Sequence, residues 1–174
     1  PGDESNGFTM LDERFLATPA VALERAHDAV VHMGTLARDN YRISVSLLIQ
    51  YDTKKAELLR ENENTLDKLE GTLDNYLVRL SGHSLSAAES TQVSELLHTL
   101  SDFERMGDYS VNISESAAVL RDRGISFSPT AQRELTALTD AVGEALDKTL
   151  ECYTSRSREL AFEVEPLEEV VDLL

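Results

Sequence analysis

The chain has 174 residues, 41% of them hydrophobic, which is enough to bury a core. Aromatics are only 6%, there is no Trp, and Gly and Pro are few, so a strand-rich fold is not expected. The net charge of −16 is spread along the whole chain. Such a field repels phosphate backbones and anionic lipid, so no nucleic-acid partner is expected, and cations or basic partners are favoured.

Residues 1–7 read as a polar tail, and Asp12 to Pro19 as a non-helical lead-in. Thr18 and Pro19 form a helix start, with Thr as cap and Pro in the first turn. The first predicted helix runs to about Tyr51 on a stripe of Leu23, Ala26, Val30, Met33, Ala37 and Leu47, with one gap before Leu47. Asp52 and Thr53 can cap a second helix. Its seam is Leu59, Leu66, Leu69, Leu73, Tyr76 and Leu80, with Asn62 the only polar member, and Gly82-His83 ends it. Ser84 or Ser86 caps the third, with Glu89 three residues after Ser86 as a capping box. That helix carries Val93, Leu96, Leu97, Leu100, Phe103, Val111 and Ala118, and stops at Arg123-Gly124. Ser128-Pro129 starts a fourth, with Leu135, Leu138, Val142, Ala145, Cys152 and Leu160 on one stripe. Pro166 opens a fifth.

The full helices are about 30 residues, or ~45 Å at 1.5 Å per residue. Short connections force antiparallel neighbours, so the expected fold is all-α, an antiparallel up-down helical bundle. Asp28-Ala29-Val30 recurs as Asp140-Ala141-Val142, and Glu63-x-x-x-Asp67 recurs as Glu168-x-x-x-Asp172. These echoes predict a lead-in over 1–18, a three-helix unit over 19–124 and a partial second unit over 125–174. A two-helix second unit leaves an apolar face without a partner, so a homo-oligomer is expected. Cys152 is the only cysteine, which precludes an intrachain disulfide, and its stripe predicts an inert core position. No stretch approaches the ~18 apolar residues of a membrane span, and no signal peptide is visible.

Glu63/Asp67, Glu104/Asp108 and Glu168/Asp172 each place two carboxylates four residues apart, on one helix face. Spacing alone is weak, since Glu24/Asp28, Glu57/Glu61 and Asp147/Glu151 share it. Position adds weight. Glu63 and Glu104 are equally far from the centre of the Gly82–Leu85 turn, so an antiparallel hairpin brings them level. Asp67 and Asp108 then lie one turn to either side. Four carboxylates on one groove would suit hard or borderline cations such as magnesium, calcium, manganese or iron. Asp102 could serve a second ion, and Asn112 extends the Asp108 face. No Glu-x-x-His pair, nucleophile elbow, phosphate-cradling glycine loop or zinc Cys/His spacing appears, so no catalytic residue is expected.

The string Asp102-Phe-Glu-Arg-Met-Gly-Asp108-Tyr-Ser-Val-Asn112-Ile resembles the third-helix signature of PhoU domains. Glu63-Asn-Thr-Leu-Asp67-Lys-Leu-Glu resembles their second-helix signature, and Glu168 to Asp172 a second copy of it. The lead-in from Leu11 to Glu24 resembles the segment that joins the membrane part of bacterial sodium/phosphate cotransporter-family proteins to their cytoplasmic PhoU-like domain. The resemblance implies tandem three-helix bundles and a regulatory role in phosphate uptake. It implies multinuclear metal clusters on Glu63, Asp67, Glu104 and Asp108, and more weakly on Glu168 and Asp172. The ion's identity stays open among iron, zinc, manganese, magnesium and calcium. It also implies a transporter domain in the same polypeptide, at the cytoplasmic side of the bacterial inner membrane. The competing reading is a structural or oligomerisation bundle whose acids only face solvent. A carboxylate-metal enzyme acting on phosphate compounds is a third.

Overall fold

The computed structural model describes residues 11–174. Among them there are helices and no strand: α1 (Pro19–Ile49), α2 (Thr53–Ser81), α3 (Ala87–Asp122), α4 (Pro129–Ser155) and α5 (Arg158–Leu173). The all-α expectation holds. The tail over 1–7 lies outside the described residues. The lead-in differs from expectation, because Glu13–Ala17 forms a 3-10 helix. The Asp12 carboxylate accepts from the backbone N–H of Arg14 and supplies the cap that turns this short segment.

Helix ends follow local chemistry. Oδ1 of Asp52 accepts from the backbone N–H of Lys54 (2.8 Å) and Lys55 (3.2 Å), which starts α2. The Ser86 hydroxyl accepts from the Glu89 N–H (3.3 Å) while Glu89 accepts from the Ser86 N–H (2.7 Å), a reciprocal capping box at α3. Gly124, at φ 62°, ends α3. Its N–H donates to Arg121 and that of Ile125 to Leu120, the paired bonds of a Schellman turn.

The fourth and fifth helices divide elsewhere than expected. The stripe from Leu135 to Leu160 suggests one helix, with a new one at Pro166. Instead α4 ends at Ser155, and Pro166 sits inside α5. Arg156 adopts a left-handed φ of 53°, the Ser157 N–H donates to the Cys152 carbonyl, and the Ser157 hydroxyl caps α5. A non-glycine residue in that conformation gives no sequence signal. Cys152 is half-buried, and its thiol donates to the Ser157 carbonyl (3.2 Å) at this turn.

The described chain forms two compact units. The first comprises the chain up to Ala37 together with Glu61–Gly107. Its core is Leu23, Ala26, Val30 and Met33 of α1, Leu66, Leu69, Leu73, Leu77 and Leu80 of α2, and Val93, Leu96, Leu100 and Phe103 of α3. Each fully buried leucine contributes roughly 1.5–3 kcal/mol. The second unit comprises Arg38–Arg60 and Asp108–Leu174. One cluster there packs Leu47, Ala56 and Ala117 with Ile43, Leu48 and Tyr51. Asn40 and Ser44 are fully buried in the gap of the α1 stripe, and the Asn40 side-chain amide donates to the Leu59 carbonyl (3.2 Å). On α3 the buried positions beyond Phe103 are Ser110, Ser114 and Ala117, while Val111 and Ala118 are half-buried. The seam keeps its three- and four-residue steps from Val93 to Ala117 and carries small polar residues where the apolar reading moved to the adjacent hydrophobe.

In the second unit the Tyr41 hydroxyl donates to the Thr139 carbonyl (2.9 Å), and Arg42 and Arg38 pair with Asp147. Burial pushes the Tyr41 phenol up to about 12, aided by Asp140. α5 folds back on α4, where Lys148 bridges to Glu163 (3.0 Å). The α4 stripe is only half covered: Leu135, Leu138, Val142 and Ala145 are half-buried, Leu150 alone in α4 is buried, and no residue of α5 is.

Candidate functional site

Glu63 is the distinctive acid of the first unit. It stands beside the α2 seam, between Leu59 and Leu66, and both its carboxylate oxygens are shielded from solvent. Taking a carboxylate out of water is costly unless its charge is balanced, so its burial marks this position out from the surface acids.

The carboxylate lies over Gly107 of α3. A methyl group there would come within 2.7 Å of Oε2 and 3.2 Å of Oε1 of Glu63, and within 2.9 Å of Cδ1 of Leu66. Glycine inside a helix costs about 0.5–1 kcal/mol relative to alanine. Here it bares the α3 backbone so that the Glu63 side chain can lie against it.

The expected register set Glu63 level with Glu104. In the structure its carboxylate reaches Gly107, nearly one turn further along α3. Helical side chains lean toward the N-terminus of their own helix. For Glu63 that direction leads away from the α2–α3 turn, and so toward later residues of α3.

The remaining expected ligands are less enclosed. Glu104 is half-buried, and Asp67, Asp108, Asp102 and Asn112 are exposed. Glu168 and Asp172 are exposed on α5. Among the described residues, no three or more His, Cys, Asp and Glu side chains come close enough together to hold a metal ion. Within the first unit, Glu63, Asp67 and Glu104 are therefore not gathered round one point in this structure. For a cation the fit is partial. Glu63 offers hard oxygen donors on a glycine-bared helix surface, and completing a shell in this unit would require Asp67 or Glu104 to swing toward it.

An apolar stripe does not include Gly107 or the buried Asn40, Ser44, Ser110 and Ser114. A signal was present for Gly107: it stands four residues after Phe103 and three before Ser110, on the seam of a long helix where glycine is disfavoured.

The family model for the PhoU domain matches residues 30–117, a stretch that contains both Glu63 and Gly107. The chain belongs to the PhoU domain family. Within this PhoU domain the Glu-Arg-Met-Gly-Asp string of α3 supplies the bared backbone, and the α2 string supplies the carboxylate laid upon it. A phosphate-specific transport system accessory protein PhoU homolog from Xylella fastidiosa is 24% identical over 143 residues, 82% of this chain and 59% of the relative. A PhoU homolog 1 of the same description from Methanothermobacter thermautotrophicus is 27% identical over 138 residues, 76% of this chain and 60% of the relative. A PhoU homolog from Aquifex aeolicus is 25% identical over 158 residues, 79% of this chain and 72% of the relative. This PhoU chain thus spans about 60% of the length of the first two. No solved structure matches it significantly. Among the described residues no helix is long and apolar enough to cross a membrane.

Proposed function

We propose that this chain is a regulatory domain for phosphate transport, which acts by contact with a membrane transporter at the cytoplasmic face of the bacterial inner membrane. The observation that carries the reading is the PhoU match over residues 30–117, together with relatives described as phosphate-specific transport system accessory proteins. The resemblance of the Leu11–Glu24 lead-in to a cotransporter joining segment supports the narrower form, a domain fused to a sodium/phosphate cotransporter. The proposal assigns no catalytic residue. Its test is phosphate uptake in source cells that lack residues 30–117 of this protein. Uptake that no longer adjusts to external phosphate supports the reading, and unaltered regulation overturns it.

A bound cation is the finer part of the proposal. Its support is the shielded Glu63 carboxylate over Gly107, with Glu104 half-buried on the same helix as the glycine. A hard cation would supply positive charge to that carboxylate. Metal content and thermal stability of the purified chain, compared with the Glu63→Ala, Glu104→Ala double variant, decide it. Equal metal content in both removes the cation. The exposure of Asp67, Asp108, Glu168 and Asp172 favours the alternative in which these acids only solvate a structural bundle, and that same result would support it.

A further inference from the structure

The lead-in over Leu11–Ala17 is an addition to the first unit, and its attachments are of two opposed kinds. Leu11 and Leu16 are buried, at 8% and 4% exposure. Arg25 of α1 stacks over Phe15, with its guanidinium carbon 5.7 Å from the ring centre. Glu13 forms a two-pronged ion pair with Arg79 of α2, both side chains more than half exposed. Exposed ion pairs of this kind hold weakly and are screened by salt.

Beside the segment lies Tyr76, one turn before Arg79 on α2, lining the same cavity as Leu11 and Glu13. It is only 4% exposed, and its hydroxyl oxygen presents less than 1 Å² to solvent. Among the described residues that hydroxyl has no hydrogen-bond partner. A water cannot settle on an oxygen so enclosed without movement of the atoms around it. A buried hydroxyl left unmade is a standing cost to the closed arrangement. Beside it, an open cavity of about 490 Å³ is lined by Leu11 and Glu13 of the lead-in and by Lys68, Thr72, Tyr76 and Arg79 of α2. The lead-in thus spans a space and does not fill it. Thr18, at φ −130° and ψ 87°, links it to Pro19 at the start of α1 and offers a hinge.

We propose that Leu11–Ala17 is a releasable strap on α2, poised between closed and open states because closing it buries the Tyr76 hydroxyl without a partner. Opening hydrates that hydroxyl, breaks the Glu13–Arg79 pair and exposes Leu11 and Leu16, while the helices stay folded. The burial of the two leucines favours closure, and the hydroxyl opposes it. This inference does not depend on the phosphate-transport reading, since the equilibrium belongs to the chain itself.

Hydrogen exchange of the whole chain reads it. The backbone N–H groups of Phe15 and Thr18, bonded to the Asp12 and Phe15 carbonyls, report strap opening, and the N–H of Leu77 in α2 reports unfolding of the unit. In the native chain the two strap amides exchange faster than that of Leu77. Tyr76→Phe removes the hydroxyl and keeps the ring, so the strap amides slow by roughly five-fold or more, the smallest factor expected from the desolvation of one buried hydroxyl. Arg79→Gln removes the ion pair and speeds them, as does added salt in the native chain. Two results overturn the proposal. In one, the strap amides exchange at the rate of Leu77, so that the segment opens only when the unit unfolds. In the other, Tyr76→Phe leaves strap exchange unchanged, so that the strap does not cover the hydroxyl.

Discussion

Replacing Gly107 by alanine tests the packing of the candidate site. In an open helix interior this substitution stabilises by about 0.5–1 kcal/mol, because alanine loses less backbone freedom. At Gly107 the added methyl would stand 2.7 Å from Oε2 of Glu63 and 2.9 Å from Cδ1 of Leu66, both well inside contact distance. Overpacking a filled interior costs about 1–3 kcal/mol. Both atoms end side chains that must give way, and Leu66 is fully buried, so Gly107→Ala is expected to lose the propensity gain and fall at least ~0.5 kcal/mol short of the change at an open glycine. Gly71 of α2 is the internal control. It is exposed, and a methyl group there meets nothing within 4 Å, so Gly71→Ala should stabilise by ~0.5–1 kcal/mol. Urea unfolding of the two variants beside the native chain gives both numbers, as midpoint changes at constant slope. Glu63→Ala in the Gly107→Ala background should recover part of the loss, a non-additivity expected of residues in contact. The reasoning is refuted if Gly107→Ala stabilises as much as Gly71→Ala does.

Asp52→Ala removes the acceptor for two backbone N–H groups at the start of α2 and should cost about 1 kcal/mol in urea unfolding. Tyr41→Phe loses the hydrogen bond to the Thr139 carbonyl and should cost about 0.5–1.5 kcal/mol, and ultraviolet titration of the native chain should show a tyrosine that ionises near 12. Acid should loosen the lead-in. The Arg14 side chain and backbone hold the Asp12 carboxyl down at about 2, and Arg79 holds that of Glu13 below the usual range. Both folded values lie below the unfolded 3.8 and 4.5, so their support is complete above about pH 4.5 and fades as pH falls through the folded values toward 2. Backbone NMR shifts of Arg14 and Phe15 followed from pH 6 to about 2 should change in that window and stay constant above it.

Much of the helical order was legible because it rests on local rules. The caps at Asp52, Ser86 and Ser128 and the stop at Gly124 each use a residue type whose side chain or backbone suits that position. The stripes of α1 and α2 were legible because apolar residues recur at three- and four-residue steps. Three features were not. The α4–α5 break depends on Arg156 taking a left-handed conformation without glycine, so no turn residue marks it. The α3 seam past Phe103 runs through Ser110 and Ser114, so hydrophobicity there points one residue off. The groove was placed by equal distance from a turn, which locates backbones, whereas the lean of the Glu63 side chain decides what its carboxylate meets. The family strings contain Glu63 and the α3 motif, while the role of the glycine between Met106 and Asp108 lies in the approach of the Glu63 carboxylate to it.

The most direct measurement of the central claim is radiolabelled phosphate uptake in the source cell, at low and high external phosphate, with residues 30–117 deleted and then restored. Regulation of phosphate transport predicts that the deletion abolishes the difference between the two conditions and that the restored chain brings it back. Uptake that keeps its full response to external phosphate in the deleted cell would contradict the account.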